Sequence, residues 1–340
     1  MTEVNFDWKN LGFAYHKTDY NVRCYYRDGK WGEIEVSSDD NLTIPMGSSC
    51  LHYGQESFEG LKAFRCKDGK IRIFRIEDNA ARMQSTSRGI VMPELPTEIF
   101  AEMVKRVVKL NERFIPPYGQ GASLYIRPLM LGIGNLLGVK PSSEYLFCIF
   151  VSPVGAYFKD GFSTSKYCIQ RKHDRACAGG TGRYKVGGNY AASLRAHVDA
   201  CAGGKYSCEI YLDAATHTKI DEFGAANAFF IKDKTYITPE SESILPSITN
   251  KSLIQLAQDL GYKAVRRPVF VEEMAEMEEA GACGTAAVIS PINQIDDLDT
   301  GKVYKFTEKP GPISTELYNR LLAIQLGEYE DVHHWVTVLD

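Results

Sequence analysis

The chain lacks any apolar run long enough to matter to a membrane: nowhere in its 340 residues does a stretch approach the roughly 20 apolar residues of a span. Its beginning, Met1-Thr-Glu-Val-Asn-Phe-Asp-Trp8, has no basic region followed by an apolar core, so no leader is expected and the cytoplasm is the expected compartment. Neither sign of charge dominates. The formal net charge of -4 offers no electrostatic case for nucleic acid or another polyanion. There is no C-x-x-C pair among the nine cysteines, at 24, 50, 66, 148, 168, 177, 201, 208 and 283, and the seven histidines form no metal-ligand spacing. A zinc site and a disulfide framework are both unexpected, no metal is assigned, and the cysteines read as small buried apolar residues of a reducing compartment. Internal repeats and low-complexity segments are absent too. At this length, two domains sharing a cleft are the natural expectation.

What the chain does have is a dense glycine stretch, Gly179-Gly-Thr-Gly-Arg-Tyr-Lys-Val-Gly-Gly-Asn-Tyr190, with Lys185 between its two glycine pairs. Five glycines in ten residues form no ordinary core helix or strand, so something is expected to approach that backbone closely. A phosphate-cradling P-loop needs glycine directly before its lysine and Ser or Thr directly after; Tyr184 and Val186 stand there instead. Two readings remain, a solvated surface loop and a lysine displayed to attack and release a carbonyl.

From Phe13 to Phe74 the pattern is of short strands and Asp-Gly turns, with Leu51-His-Tyr-Gly-Gln-Glu-Ser-Phe-Glu-Gly60 between them carrying the rings of Tyr53 and Phe58. A helix is expected over Glu77 to Ser87 with Arg82 on its flank. A second starts at Thr97 as its cap, carries a stripe of Ile99, Met103, Val107 and Leu110, and stops before Pro116-Pro117. Ser123 to Pro128 reads as a short strand with Leu124 and Ile126 on one face and Tyr125 and Arg127 on the other. That pair suits a carboxylate, and an edge strand with a solvated arginine is the other reading. The stretch Pro153 to Gly161 reads as a connector, giving domains 1–155 and 165–340 joined by 156–164. Beyond it are expected a strand near Lys166 to Arg171, a helix over Asn189 to Ala202, and a meander of Glu209 to Asp213, Lys219 to Ile231 and Thr235 to Thr238. A capped helix after Pro246, an acidic helix over Val271 to Ala280 and a last helix from about Ser314 to Leu326 follow. Glu222 falls in the middle strand of the meander, where a half-buried acid wants a cationic or hydrogen-bonding partner.

One cofactor uses a lysine for a Schiff base, an acid for a ring nitrogen and several donors for a phosphate, namely pyridoxal 5'-phosphate. Lys185 offers the first and Glu222 the second. Tyr190 stands near the lysine to reach a phenolic oxygen. Arg82, Thr249, Thr285 and the amides at the Ile248-Thr249 helix start offer the phosphate donors.

Eight ordered blocks carry a resemblance. They are Leu51-His-Tyr with Phe58-Glu-Gly-Leu-Lys-Ala-Phe64, Arg82-Met83, Leu124-Tyr-Ile-Arg-Pro128, Pro153-Val-Gly-Ala-Tyr-Phe158, Lys185-Val-Gly-Gly-Asn-Tyr190, Glu222-Phe-Gly with Asn227, Ile244-Leu-Pro246, and Gly284-Thr-Ala286. Over roughly Gly12 to Gly327 the chain resembles the branched-chain amino-acid aminotransferases, fold-type IV pyridoxal-phosphate enzymes. The resemblance implies an α/β (α+β) fold of two domains with the site at their interface, and a homodimer in the cytoplasm. It also implies ping-pong transamination between L-leucine, L-isoleucine or L-valine and 2-oxoglutarate. Lys185 is then the Schiff-base lysine, Glu222 the pyridine-nitrogen partner, Tyr190 the phenolic-oxygen partner, and Arg82, Ile248, Thr249 and Thr285 the phosphate cup. Tyr53, Phe58 and Tyr157 wall the side-chain pocket. Tyr125 and the amides of Thr285 and Ala286 hold the α-carboxylate, while Arg127 orients the tyrosine and helps accept the second carboxylate of glutamate. D-amino-acid transaminases and aminodeoxychorismate lyases share the lysine and the glutamate, but lack this Tyr-x-Arg-Pro strand. Two departures stand out. Ala225 replaces a threonine that many relatives set on the phosphate, and Ala287-Val-Ile-Ser290 replaces the C-x-x-C of mammalian relatives, so no thiol switch is expected there.

Overall fold

The structure is a computed structural model that describes residues 4, 6–8, 10–158 and 161–339. In chain order its elements are β1 (Asn21–Arg27), β2 (Lys30–Trp31), β3 (Glu35–Ser37), α1 (Ser49–Tyr53), β4 (Glu56–Phe58), β5 (Leu61–Arg65), β6 (Ile71–Phe74), α2 (Ile76–Gly89), α3 (Thr97–Leu110), β7 (Ser123–Gly132) and β8 (Tyr145–Val154). There follow β9 (Ser165–Ile169), α4 (Gly187–Cys201), β10 (Cys208–Leu212), β11 (Ile220–Phe223), β12 (Asn227–Lys232), β13 (Thr235–Pro239), α5 (Ile248–Asp259), β14 (Lys263–Arg267), β15 (Glu279–Gly284), β16 (Val288–Asp297), β17 (Val303–Lys305), α6 (Pro312–Gln325) and β18 (Val336–Leu339). Two compact units result. One is Met1–Lys159 with Lys185–Gly187 and Ala323–Asp340; the other is Asp160–Tyr184 with Gly188–Leu322. The lysine tripeptide and the last segment are thus counted with the first unit.

In the first unit a sheet runs β18-β6-β5-β7-β8-β1-β2, with β3 on β1 and β4 on β7. The even-numbered residues of β7, Leu124 and Ile126, are buried against α2 and α3, and Tyr125 and Arg127 take the other face. This strand is longer than its sequence suggests and is not an edge, since β8 flanks it along its length and β4 and β5 share its other side. Proline survives there because β4 and β5 part opposite it at Glu59 and Gly60. The Glu59 amide donates to the Pro128 carbonyl, and no ladder donor is demanded of Pro128 itself. In α3 the buried stripe is Phe100, Met103, Val104, Val107 and Val108, rotated from the expected one, with Ile99 and Leu110 at its margins. Thr97 is the first helical residue rather than the cap, which falls at Pro96.

The second unit's sheet runs β11-β10-β9-β16-β15-β12-β13-β14, with β17 on β16. An additional β11–β12 pairing, through Glu222 and Asn227, closes six of these strands into a ring. Two expectations are corrected here. The long strand Lys219 to Ile231 is two strands parted by a turn at Gly224 to Ala226, across which the Phe223 amide donates to the Ala226 carbonyl at 2.9 Å. The acidic helix is only a 3₁₀ turn at Val271–Glu276, after which Glu279–Gly284 enters the sheet, its small residues lying alongside the phenylalanines of β12. At Gly281 a Cβ would collide with the Phe229 ring. No helix among the described residues is long and apolar enough to cross a membrane.

Candidate active site

The lysine tripeptide is stitched to the first unit by its own backbone. The Phe58 amide donates to the Lys185 carbonyl at 3.1 Å. The Lys185 amide in turn donates to Thr86 Oγ1 at 3.1 Å, and the Gly187 amide donates to the Glu56 carboxylate. The close approach expected of this stretch is therefore made by protein: a Cβ on Gly187 would collide with Glu56 Oε1. Burial pushes the Glu56 carboxyl up, and the Gly187 amide opposes the shift. With its ends held, the Lys185 side chain stands with Nζ 4.7 Å from the centroid of the Phe58 ring.

The same ring carries a second cation, since Arg127 Cζ lies 5.0 Å from its centroid and 5.2 Å from that of Tyr125. Arg127 Nη2 donates to Tyr125 Oη at 3.3 Å. Arg127 Nε is buried with no hydrogen-bond partner among the described residues, a donor suited to an anion. Gly60 makes room for this arrangement, because a Cβ there would collide with Tyr125 Oη. Alternation along β4 and β7 brings Phe58, Tyr125 and Arg127 to one place, and the backbone bonds of Lys185 bring the amine to them.

One turn of α2 sets Arg82 below Thr86. Arg82 makes a two-pronged pair with Glu59, Nε to Oε1 at 2.8 Å and Nη2 to Oε2 at 2.6 Å, and Glu59 is fully buried. Tyr53 and Tyr157 are placed differently. Tyr53 is 41% exposed with its hydroxyl on the Leu137 carbonyl, and Tyr157 is 53% exposed with its ring 5.0 Å from that of Phe158.

In the second unit the ring closure carries the acid. Glu222 Oε1 accepts from Arg175 Nη1 at 2.7 Å and from the Leu245 amide at 2.9 Å, and Oε2 accepts from Asn227 Nδ2 at 2.8 Å. Burial pushes the carboxyl up to about 7, against the pull of the Arg175 guanidinium and of the bonds from Leu245 and Asn227. Behind it runs a buried polar chain: Asn250 Nδ2 donates to Asn227 Oδ1 at 3.3 Å and to Thr238 Oγ1 at 2.9 Å, and Tyr236 Oη donates to Asn250 Oδ1 at 2.8 Å. Leu245 leads directly into the start of α5. There Ser247 Oγ accepts from the Asn250 amide at 3.2 Å, and Ile248 and Thr249 begin the helix, both buried. Cys283 pairs with Asn227 across β15 and β12, which sets the half-buried Thr285 and Ala286 at the same end of the ring as Glu222 and the α5 start. Ala225 is exposed in the adjoining turn. Tyr190 lies half-buried in the first turn of α4, a helix whose entry is fixed by Asn189, donating to the carbonyls of Thr181 at 2.8 Å and Tyr184 at 2.9 Å.

This donor set fits pyridoxal 5'-phosphate chemically. A buried carboxylate stands at the same ring end as a helix N-terminus and two threonine hydroxyls, which is an acid for a ring nitrogen beside an anion site. Sequence alone assigns no role to Arg175, Glu59, Glu56, Thr86 or Asn250. Arg175 is announced in kind, since a buried acid wants a cation, but nothing in a loop such as His173-Asp-Arg175 tells which arginine supplies it.

Residues 57–295 match the amino-transferase class IV family, and the chain belongs to it. Within that class it falls among the branched-chain-amino-acid aminotransferases. It is 48% identical to the branched-chain-amino-acid aminotransferase of Haemophilus influenzae, over 98% of this chain and 99% of the relative. Among solved structures, the branched-chain amino acid aminotransferase of Escherichia coli superposes with a TM-score of 0.78 at 25% identity, covering 94% of this chain and 99% of the other. That of the thermophilic archaeon Thermoproteus uzoniensis, solved with norvaline, gives 0.76 at 26% identity over 93% and 99%.

Proposed function

We propose that the chain transfers the amino group reversibly between L-leucine, L-isoleucine or L-valine and 2-oxoglutarate, in a ping-pong cycle that uses pyridoxal 5'-phosphate. The observation that carries this reading is the cluster of Lys185, Phe58, Arg127 and Tyr125, an amine beside an apolar ring and an anion-seeking arginine. When bound, the cofactor supplies an electron-poor ring that makes the α-hydrogen of an amino acid acidic. Lys185 would hold the cofactor, and its ε-amine, when free, would move the α-proton of the substrate. Glu222 would keep a proton at the ring nitrogen, and Tyr190 would donate to the phenolic oxygen. Arg82, Ile248, Thr249 and Thr285 would hold the phosphate, with Glu59 fixing the plane of the Arg82 guanidinium.

One pocket must take both an isobutyl group and a carboxylate. Phe58, Tyr53 and Tyr157 serve the first, whereas Arg127 with the Tyr125 phenol serves the second. Tyr125 and the amides of Thr285 and Ala286 hold the α-carboxylate common to all substrates. We infer a cytoplasmic homodimer in which domains 1–155 and 165–340 are joined by 156–164. Its subunit contact is supported by an exposed apolar group on the first unit, Met46, Leu51, Tyr53, Leu137 and Val139, and its compartment by nine free cysteines.

Incubation with L-leucine and 2-oxoglutarate tests the reading: glutamate and a branched 2-oxo acid are expected in equal amounts. No glutamate from any of the three amino acids, with turnover of D-alanine or release of pyruvate instead, would move the chain to the D-amino-acid transaminases or the aminodeoxychorismate lyases.

A further inference from the structure

We propose that His197, Cys201 and Glu209 form a binding site for one zinc ion in the second unit. His197 and Cys201 are four residues apart on α4 and so share a face, and Glu209 on β10 supplies the third group. His197 Nδ1 lies 2.9 Å from Glu209 Oε2, Cys201 Sγ lies 3.6 Å from the same nitrogen, and the three ligand atoms all lie within 4.8 Å of one another. Zinc bonds to sulfur at about 2.3 Å and to nitrogen or oxygen at about 2.0 Å, which at tetrahedral angles sets a sulfur–nitrogen edge of about 3.5 Å and a nitrogen–oxygen edge of about 3.3 Å. The first edge is already in place, and the second opens by about 0.4 Å as the ion enters.

The donor types choose among metals. A thiolate with an imidazole and one carboxylate suits zinc, while calcium and magnesium want oxygen ligands throughout. Three protein ligands leave a fourth position to water. The carboxylate is already oriented: Tyr211 Oη donates to Glu209 Oε1 at 3.1 Å, which leaves Oε2 to His197. Solvent reaches the site through His197, whose side chain is 49% exposed, while the Glu209 carboxylate lies buried behind it. On binding, the ion takes the place of the hydrogen shared between Nδ1 and Glu209, the imidazole carries its proton on Nε2, and the Cys201 thiol releases its proton to solvent. No electron moves.

The site lies behind the proposed chemistry rather than in it. The helix that holds His197 and Cys201 near its end carries Tyr190 in its first turn, and β10 pairs with β11, Ile210 against Phe223, next to Glu222. An ion here clasps α4 to β10 and stabilises the second unit by binding the folded state alone. A scan for C-x-x-C or paired histidines passes over it, because the helical pair mixes residue types and the third ligand is on a strand.

The test is equilibrium dialysis of the chelator-treated holoenzyme against zinc chloride, with zinc counted by atomic emission and the bound ion located by anomalous diffraction. We expect one ion per chain at the three residues, at least tenfold weaker binding in His197→Ala and in Cys201→Ser, and a zinc-dependent rise in melting temperature in the wild type only. Transamination by both variants without zinc should match the wild type. Equal zinc binding by wild type and the double variant, or an anomalous peak elsewhere, such as at the exposed Cys177, would overturn the proposal.

Discussion

Arg175 donates to Glu222 across 2.7 Å at a point where both side chains are almost wholly shielded from water. Burial of the acid and the attraction of the guanidinium oppose each other, which leaves the carboxyl near 7 instead of well above it. Arg175→Met removes the attraction and keeps the burial, so Glu222 holds its proton to higher pH. Cofactor affinity at pH 7 is then expected to fall at least tenfold and to recover as the pH rises, read by fluorescence titration of the apoenzyme. An affinity with no pH dependence would show that Arg175 does not set the charge of Glu222.

The raised carboxyl also makes a stability prediction with a definite sign. Below the ordinary glutamate range Glu222 is protonated in both folded and unfolded chains. As the pH climbs toward 7 the unfolded chain gives up the proton first, so the folded apoenzyme loses ground. Glu222→Gln cannot follow this course. The melting temperature of the wild type minus that of the variant should shrink between about pH 4.5 and pH 7.5, the ordinary and shifted ranges of the group. A difference that grows over that window would contradict the assignment.

The Lys185 backbone is held at both its amide and its carbonyl, bonds that an alanine there would keep. Lys185→Ala should therefore fold with little change in melting temperature, retain cofactor only without a covalent link, and yield no borohydride-trapped adduct. Turnover should fall by about 10²–10⁴-fold or more, the range for losing a positioned acid–base group. Mass spectrometry of the borohydride-treated protein decides the matter.

Thr86 offers a separate variant, because its hydroxyl, almost fully buried, takes the Lys185 amide at 3.1 Å. Thr86→Val keeps the shape and strands that donor, at a cost of about 1–3 kcal/mol. Denaturant unfolding should report the loss, and turnover should drop with it if the amide bond places the amine. Unchanged stability would show that the bond is not needed.

Arg127→Leu separates the two substrates. The charged second carboxylate loses a charge-assisted hydrogen bond of about 1.5–3 kcal/mol, so kcat/KM for 2-oxoglutarate should fall about 10- to 100-fold. The value for L-leucine should fall less, by whatever the loosened Tyr125 contributes. Equal losses for both would place Arg127 on the α-carboxylate instead.

Much of this is legible in the chain itself, for reasons that differ from residue to residue. Alternation on β7 is enough to set Tyr125 and Arg127 on one face, and their hydrogen bond follows from it. The Ser247 cap and the proline before it announce α5. Periodicity fails where tertiary packing overrides it. The Val271–Ala280 acids look helical, yet Gly281 must be small because the Phe229 ring of β12 fills the space beside it, and only the sheet reveals that demand. Partners across long separations are hidden as well. Glu59 for Arg82, Glu56 for Gly187 and Arg175 for Glu222 are pairings that no local spacing encodes.

The β11–β12 seam has a consequence for how this enzyme can change. The residue assigned to the ring nitrogen is also the clasp that zips the barrel shut against Asn227. A mutation at Lys185 can silence the chemistry and leave every ladder of the fold untouched. One at Glu222 unfastens a seam as it removes the acid proposed for the ring nitrogen, so inactive descendants of such a chain should discard the lysine long before they discard the glutamate.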